Sequence, residues 1–192
     1  QGKDINKATH QEMRSLVCAQ CHVEYYFKGD GKYLTLPWDK GFTVEEMEAY
    51  YDEYAFADWT HKLSRAPMIK AQHPDYELYR FGIHYDRGVS CADCHMPYKS
   101  EGGVKFTNHH IQSPLNNIEN SCKVCHREET DELIRNVYQR QDAIYQTRTL
   151  LEKALAKAHI EAKFAWEKGA TEKQMAPVLK LIRAAQWRWD YM

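Results

Sequence analysis

The clearest pattern of apolar and polar positions lies in the last third of the chain. Leu133, Val137, Ile144, Leu151, Leu155 and Ala162 recur at helical spacing, and residues 131–167 contain neither Gly nor Pro. One long helix is expected there, ending at Gly169, a residue suited to the left-handed position just past a helix C-terminus. Thr171 then fits the N-cap of a second helix, with Gln174 closing a capping box and Pro177 still near the start. That helix carries Val178, Leu179, Ile182, Trp187 and Trp189. Two such helices are expected to run antiparallel, with apolar faces that call for packing or oligomerisation. Their polar faces mix both charge signs, which argues against a membrane-lying role.

The earlier residues read differently. Gly29, Gly31, Pro37, Gly41, Pro67, Pro74, Gly82, Gly88, Pro97, Gly102, Gly103 and Pro114 break any long periodicity. Short helices joined by irregular loops are expected. One helix is predicted over residues 3–18 and another over 43–62, the second opened by Thr43 with Glu46 three residues on. The chain thus divides near residue 130, into a region 1–130 and a long-helix region 131–192 for packing or dimerisation.

Chemistry enters with the cysteines. All six fall in three copies of one motif: Cys18-Ala19-Gln20-Cys21-His22, Cys91-Ala92-Asp93-Cys94-His95 and Cys122-Lys123-Val124-Cys125-His126. C-x-x-C-H is the attachment signature of c-type haem, in which two thiols bond the porphyrin and the histidine ligates iron. Structural zinc and redox dithiols also use paired cysteines, but neither needs a histidine directly after the second one. With 10 histidines in 192 residues, a chance His at that position occurs roughly once in 20, and here it occurs three times out of three. Region 1–130 is therefore read as short helices and loops wrapped round three haems, and the fold class as a mainly α multihaem cytochrome c domain followed by two long helices.

Composition fits this reading. Hydrophobic content of 43% and a mean hydropathy of −0.73 are lean for a core of side chains alone. Haem plates would supply the difference. The net charge of −1 gives no case for binding nucleic acid. No run approaches ~18 consecutive apolar residues, so no membrane span is expected. The start, Gln1-Gly2-Lys3-Asp4, has no apolar leader, and Trp187-Arg188-Trp189-Asp190-Tyr191-Met192 has no helix stop. A segment of a longer polypeptide is expected.

Three histidines are used by the motifs, leaving His10, His61, His73, His84, His109, His110 and His159. His84, seven residues before Cys91 and close to Gly82, is a candidate axial ligand. His109 and His110 are adjacent and point differently, so one of the two is the candidate. His10 and His61 read as surface residues, and His159 as packing or surface. His73 precedes Pro74, which forces an extended conformation on it; ligand and acid–base roles are both open there.

Four strings narrow the field: Cys18-Ala19-Gln20-Cys21-His22-Val23-Glu24-Tyr25-Tyr26-Phe27, Lys70-Ala71-Gln72-His73-Pro74, Gly88-Val89-Ser90-Cys91-Ala92-Asp93-Cys94-His95-Met96-Pro97 and Ala184-Ala185-Gln186-Trp187-Arg188-Trp189-Asp190. Together they resemble the later part of the pentahaem, ammonia-forming cytochrome c nitrite reductases, over essentially all 192 residues. The resemblance implies that Cys18, Cys21 and His22 hold the family's third haem. Cys91, Cys94 and His95 would hold the fourth, and Cys122, Cys125 and His126 the fifth. His84 would be the distal ligand of the fifth haem and His109 that of the second. The Glu24 side chain, the Tyr25 and Lys70 carbonyls and the Gln72 side chain would bind calcium. Tyr25 and His73 would face substrate.

The family's active-site haem is attached through C-x-x-C-K, which does not occur here. The resemblance therefore makes this segment the electron-supply part of the enzyme together with one wall of its active site. It further implies nitrite as substrate, a periplasmic location and a homodimer formed through the long helices. The electron donor would be a multihaem cytochrome, either a membrane-anchored quinol dehydrogenase or a soluble carrier. The alternative is a non-catalytic multihaem electron carrier.

Overall fold

The computed structural model describes residues 4–192. In chain order its elements are α1 (His10–Leu16), β1 (Tyr26–Lys28), β2 (Tyr33–Thr35), α2 (Val44–Glu53), β3 (Trp59–Thr60), β4 (Pro67–Met68), α3 (Asp75–Arg80), α4 (Ile83–Asp86), α5 (Cys91–His95), β5 (Tyr98–Glu101), β6 (Val104–Thr107), α6 (Ile118–Ser121), α7 (Thr130–Glu167) and α8 (Glu172–Asp190). The strands form three separate antiparallel pairs, β1–β2, β3–β4 and β5–β6. In the last, Glu101 pairs with Val104 across Gly102 and Gly103, whose φ values of +56° and +80° supply the turn that two-residue hairpins favour. The mainly α class with two long C-terminal helices is as expected.

Two early helices are shorter than their predicted spans. Over 3–18, a single 3-10 turn (Ile5–Lys7) precedes α1, and residue 3 lies outside the described residues. The reason is a capping box: the Glu12 N–H donates to Thr9 Oγ1 and the Thr9 N–H to Glu12 Oε2, which starts the helix at His10. Over 43–62, the Thr43–Glu46 box forms, but α2 stops at Glu53. Ala55 adopts a left-handed φ of +46°, and Phe56 turns back to stack on Tyr51 with ring centroids 5.2 Å apart. Burying that ring outweighs further helix, and Trp59 and Thr60 join β4 instead.

The hairpin of α7 and α8 follows its local signals. Gly169 takes φ +87°, and Thr171 and Gln174 close the second helix's capping box. Ala158, Ala162, Ala165 and Trp166 pack against Met175, Leu179 and Ile182, which sets the two helices antiparallel there.

The residues gather into two compact units that interleave along the chain. One comprises the residues up to Val23 with Asp75–Arg140; the other comprises Glu24–Pro74 with Gln141–Met192. These units cut across the sequence division at residue 130, which marks where the motifs lie. In the first unit, Arg14 is the hub: its guanidinium donates to Asp93 at 3.0 Å and Thr107 at 3.1 Å, and lies over the Tyr98 ring. The Cys91 N–H donates to Ser15 Oγ, joining α1 to α5. In the second unit, Tyr26, Met47, Tyr50, Tyr51, Ile69, Ala71, Trp187 and Tyr191 form an aromatic core. Arg183, buried, donates to Asp52 and to the Phe56 and Pro67 carbonyls, tying α8 to α2 and to the strand pair.

Candidate haem cradle and calcium site

All three C-x-x-C-H motifs wind into one helical turn. In the first and third, the N–H groups of Cys21 and His22 donate to the Cys18 carbonyl, and those of Cys125 and His126 to the Cys122 carbonyl, at 2.9–3.1 Å. The second is α5 itself, opened by Ser90 through a capping box with Asp93. A turn of this kind sets residues i, i+3 and i+4 on one face, so both thiols and the imidazole of each motif share a side. None of the six cysteines is in a disulfide.

The motifs are close neighbours within their unit. Burial pushes the Cys94 thiol up to about 11, and Cys122, Asp93, Cys91 and Cys125 add to the shift. The Cys91 thiol is also raised, by burial first, with Cys18 among its neighbours. The second motif therefore stands between the other two.

Each motif imidazole turns its Nδ1 toward an oxygen. His22 Nδ1 lies 3.0 Å from Asp75 Oδ2, His95 Nδ1 lies 3.0 Å from the Gln112 carbonyl, and His126 Nδ1 lies 3.6 Å from Glu128 Oε2. A metal-ligating imidazole characteristically hands its other ring N–H to such a partner, which fixes the ring and leaves Nε2 for the metal. Spacing along the chain carries no sign of Asp75 or Gln112, which are 53 and 17 residues from their histidines. Glu128 stands two residues after His126, in no motif that marks it as a partner.

The His84 and His126 rings lie edge-to-face, with centroids 6.1 Å apart and planes at 66°. That separation leaves room for one metal ion between the two rings, given metal–nitrogen bonds of ~2.0–2.1 Å. His109 is exposed on the loop after β6. Apolar side chains beside the motifs are unusually exposed: Val17, Phe81, Ile83 and Val124, the last at 68%. These suit an apolar plate such as a porphyrin.

The second unit joins the two remaining strings. Glu24 is fully buried; it accepts from the Tyr51 hydroxyl at 2.8 Å and from the Gln72 N–H at 2.6 Å. Burial, and then the Glu24 charge, push the Tyr51 phenol up, which keeps it the donor. That pair of bonds places Glu24 and Tyr25 beside Lys70 and Gln72. One carboxylate with carbonyl and amide oxygens is a hard donor set that fits calcium. The Gln72 Oε1 also accepts from Lys70 Nζ at 3.3 Å. The Tyr25 ring is half-buried, edge-on to Phe27, and His73 is exposed on the same segment as Gln72. Among the described residues, no group of three or more His, Cys, Asp or Glu gathers as metal ligands.

The model of the cytochrome c552 family matches residues 1–192. The chain belongs to the cytochrome c552 family. It is 74% identical over 191 residues to a cytochrome c-552 of Parabacteroides distasonis, covering 100% of this chain and 39% of that protein. A cytochrome c-552 of Aliarcobacter butzleri is 52% identical over 194 residues, covering 96% of this chain and 38% of that protein. Among solved structures, the chain is similar to the cytochrome c nitrite reductase of Desulfovibrio desulfuricans ATCC 27774, with a TM-score of 0.91 and 37% identity. That match covers 99% of this chain and 44% of the other; the structure is described for the two calcium sites of its catalytic subunit. The chain thus spans about two fifths of the relatives it matches.

Two units of this cytochrome c552 family member consequently divide the candidate chemistry. The first carries every motif cysteine and histidine, with His84 and His109. The second carries Glu24, Tyr25, Lys70, Gln72 and His73.

Proposed function

We propose that this chain is the later part of a periplasmic cytochrome c nitrite reductase that forms ammonium. In this reading it attaches three haems, at Cys18/Cys21, Cys91/Cys94 and Cys122/Cys125, with His22, His95 and His126 as proximal ligands. His84 would be a second ligand to the haem attached at Cys122 and Cys125, and the 6.1 Å between its ring and that of His126 supports that assignment. His109 serves a further haem whose motif lies outside this chain. The observation that carries the enzymatic reading is the Glu24–Gln72 bond, which joins two strings 48 residues apart and gathers the calcium donors next to Tyr25 and His73.

The reaction takes nitrite to ammonium with six electrons and eight protons, and releases two waters. The three haems of this chain, when bound, would supply electrons, while the iron site for the nitrite nitrogen belongs in this reading to a haem whose C-x-x-C-K motif does not occur here. The chain's own residues deal with protons and position. The His73 imidazole can accept and pass on a proton, and Pro74 restricts its backbone to an extended form. The Tyr25 hydroxyl can donate a hydrogen bond or a proton to a substrate oxygen. Glu24 and the carbonyls of Tyr25 and Lys70, with Gln72, would hold calcium, which would steady the segments that carry both side chains.

Electrons come in this reading from a multihaem cytochrome, either a membrane-anchored quinol dehydrogenase or a soluble carrier. Ile144, Tyr145 and Leu150 are exposed on α7, which supports pairing with a second copy through the long helices. The test is turnover of the complete polypeptide with a reduced viologen. Wild type should yield ammonium from nitrite, and His73→Asn should lower kcat/KM by ~10²-fold or more with haem content intact. Unchanged turnover would remove His73 from the reaction, and no ammonium from wild type would sink the enzymatic reading.

A further inference from the structure

The segment that carries the proposed calcium donors is gripped in an unusual way. Three consecutive main-chain N–H groups each donate to a carboxylate, and each carboxylate comes from a different stretch of the chain. The Lys70 N–H donates to Asp58 Oδ2 at 2.8 Å, the Ala71 N–H to Asp190 Oδ2 at 3.2 Å, and the Gln72 N–H to Glu24 Oε2 at 2.6 Å. Glu24 stands before β1, Asp58 before β3, and Asp190 is the last residue of α8.

Peptide planarity makes one of these bonds special. The chain has no cis peptide among the described residues, so the Ala71 N–H and the Lys70 C=O lie in one rigid plane and point in opposite directions. Holding the Ala71 N–H therefore sets the direction of the Lys70 carbonyl. The bonds from Asp58 and Glu24 fix the peptide planes on either side. We infer that Asp190 is a positioning residue, which aims the Lys70 carbonyl oxygen at the calcium by accepting the Ala71 N–H from the opposite end of the same peptide.

Asp190 is well placed to act as a fixed point. Three residues earlier, Trp187 is fully buried and donates to the Val44 carbonyl at 2.9 Å. Arg188 is paired with Glu48 at 2.7 Å and with Glu45 at 3.3 Å. The Trp187 ring meets Tyr51 edge-on, and Tyr51 donates to Glu24. The end of α8 thus braces Glu24 through an aromatic contact and the Lys70 carbonyl through Asp190. A carboxylate at a helix C-terminus opposes the helix dipole, so its position there costs free energy that a neutral residue would not. A charge-assisted acceptor also holds an N–H more firmly than a neutral one.

The inference rests on the calcium reading above, and its test separates the two. The complete haem-loaded polypeptide is stripped with a chelator and titrated with calcium, with haem content followed by absorbance. Wild type should bind calcium. Asp190→Ala should weaken binding by ~10–100-fold, the range typical when a residue supporting a metal ligand is removed. Asp190→Asn keeps an oxygen that accepts the Ala71 N–H and should stay within about threefold of wild type. Asp190→Glu keeps the charge but displaces the acceptor by one methylene, and should weaken binding about tenfold. Both conservative variants keep a polar group at the position if the alanine variant fails to fold. The reverse order, with the Asn variant weak and the Glu variant like wild type, would show that charge and not direction matters and would overturn the inference. Equal affinity in all four proteins would also overturn it. Absence of calcium binding by wild type would instead overturn the calcium reading, and this inference with it.

Discussion

The two units bury themselves by different means. In the second, Tyr26, Met47, Tyr50, Tyr51, Met68, Ile69, Ile182 and Trp187 are almost entirely hidden, and both hydrophobic clusters among the described residues lie there. In the first, the buried apolar side chains are few and scattered: Val23, Tyr76, Ala92, Pro97, Ile118 and Leu133. That unit is held instead by polar links such as Arg14 to Asp93 and Gln11 to the Tyr85 carbonyl, while Val17, Phe81, Ile83 and Val124 remain exposed. The difference teaches where each unit gets its stability. The second has a core made of side chains. The first arranges its three C-x-x-C-H turns with apolar surface beside them, and in the proposed reading bound haem would supply folding energy there, as a cofactor does in small metal-dependent domains.

The largest effect should follow from withholding haem. Protein made without haem attachment should lose amide-exchange protection in α1, α5 and α6, while α8 and the Tyr26–Tyr51 core keep theirs. Equal loss in both units would erase the contrast. A smaller but still large effect is expected from the other side. Trp187→Ala removes a side chain with 0% exposure and should destabilise the second unit by ~3–5 kcal/mol. The absorbance of haems held by His22, His95 and His126 should be unchanged before the melt, and a spectral change would show that the first unit depends on the second's core.

The smallest effect concerns His159. Its imidazole stacks on His61 with ring centroids 3.7 Å apart, and its Nδ1 meets Ser64 Oγ at 2.9 Å. The Trp166 indole donates to the Ser64 carbonyl, and Arg65 lies over that indole. Burial, with the His61 ring as a second cause, holds His159 below its ordinary value near 6.5. The unfolded chain then binds the proton more readily than the folded one. Stability from this group is present above pH 6.5 and is lost as pH falls below it. His159→Gln should flatten that acid-side loss in a thermal melt series from pH 8 to pH 5, confined to the second unit. An unchanged pH dependence would remove His159 as its source.

Local chemistry was legible along the chain, and contacts between distant residues were not. Each C-x-x-C-H forms a turn because its geometry is set within five residues, and the Gly169–Thr171–Gln174 punctuation produced the α7–α8 hairpin as read. The spacing of His84 before Cys91 made it a candidate ligand but named no partner; the resemblance alone put it with His126, and the fold brings the two rings within 6.1 Å of each other. By contrast, nothing near Asp75, Gln112, Asp58 or Asp190 marks them as partners of His22, His95, Lys70 or Ala71. Their roles arise from tertiary packing, which single-chain periodicity does not encode. The end of α2 at Glu53 has the same origin, since the stop comes from burying Phe56 against Tyr51. His61 and His159 read separately as surface or packing residues, and only the fold stacks them.

The central claim is that the first unit is a scaffold for three covalent haems, and mass spectrometry of the protein matured with haem tests it most directly. After proteolysis, peptides containing Cys18 and Cys21, Cys91 and Cys94, and Cys122 and Cys125 should each carry one haem through both thiols. A motif recovered with two free thiols in fully matured protein, or zinc bound in place of haem, would contradict the account.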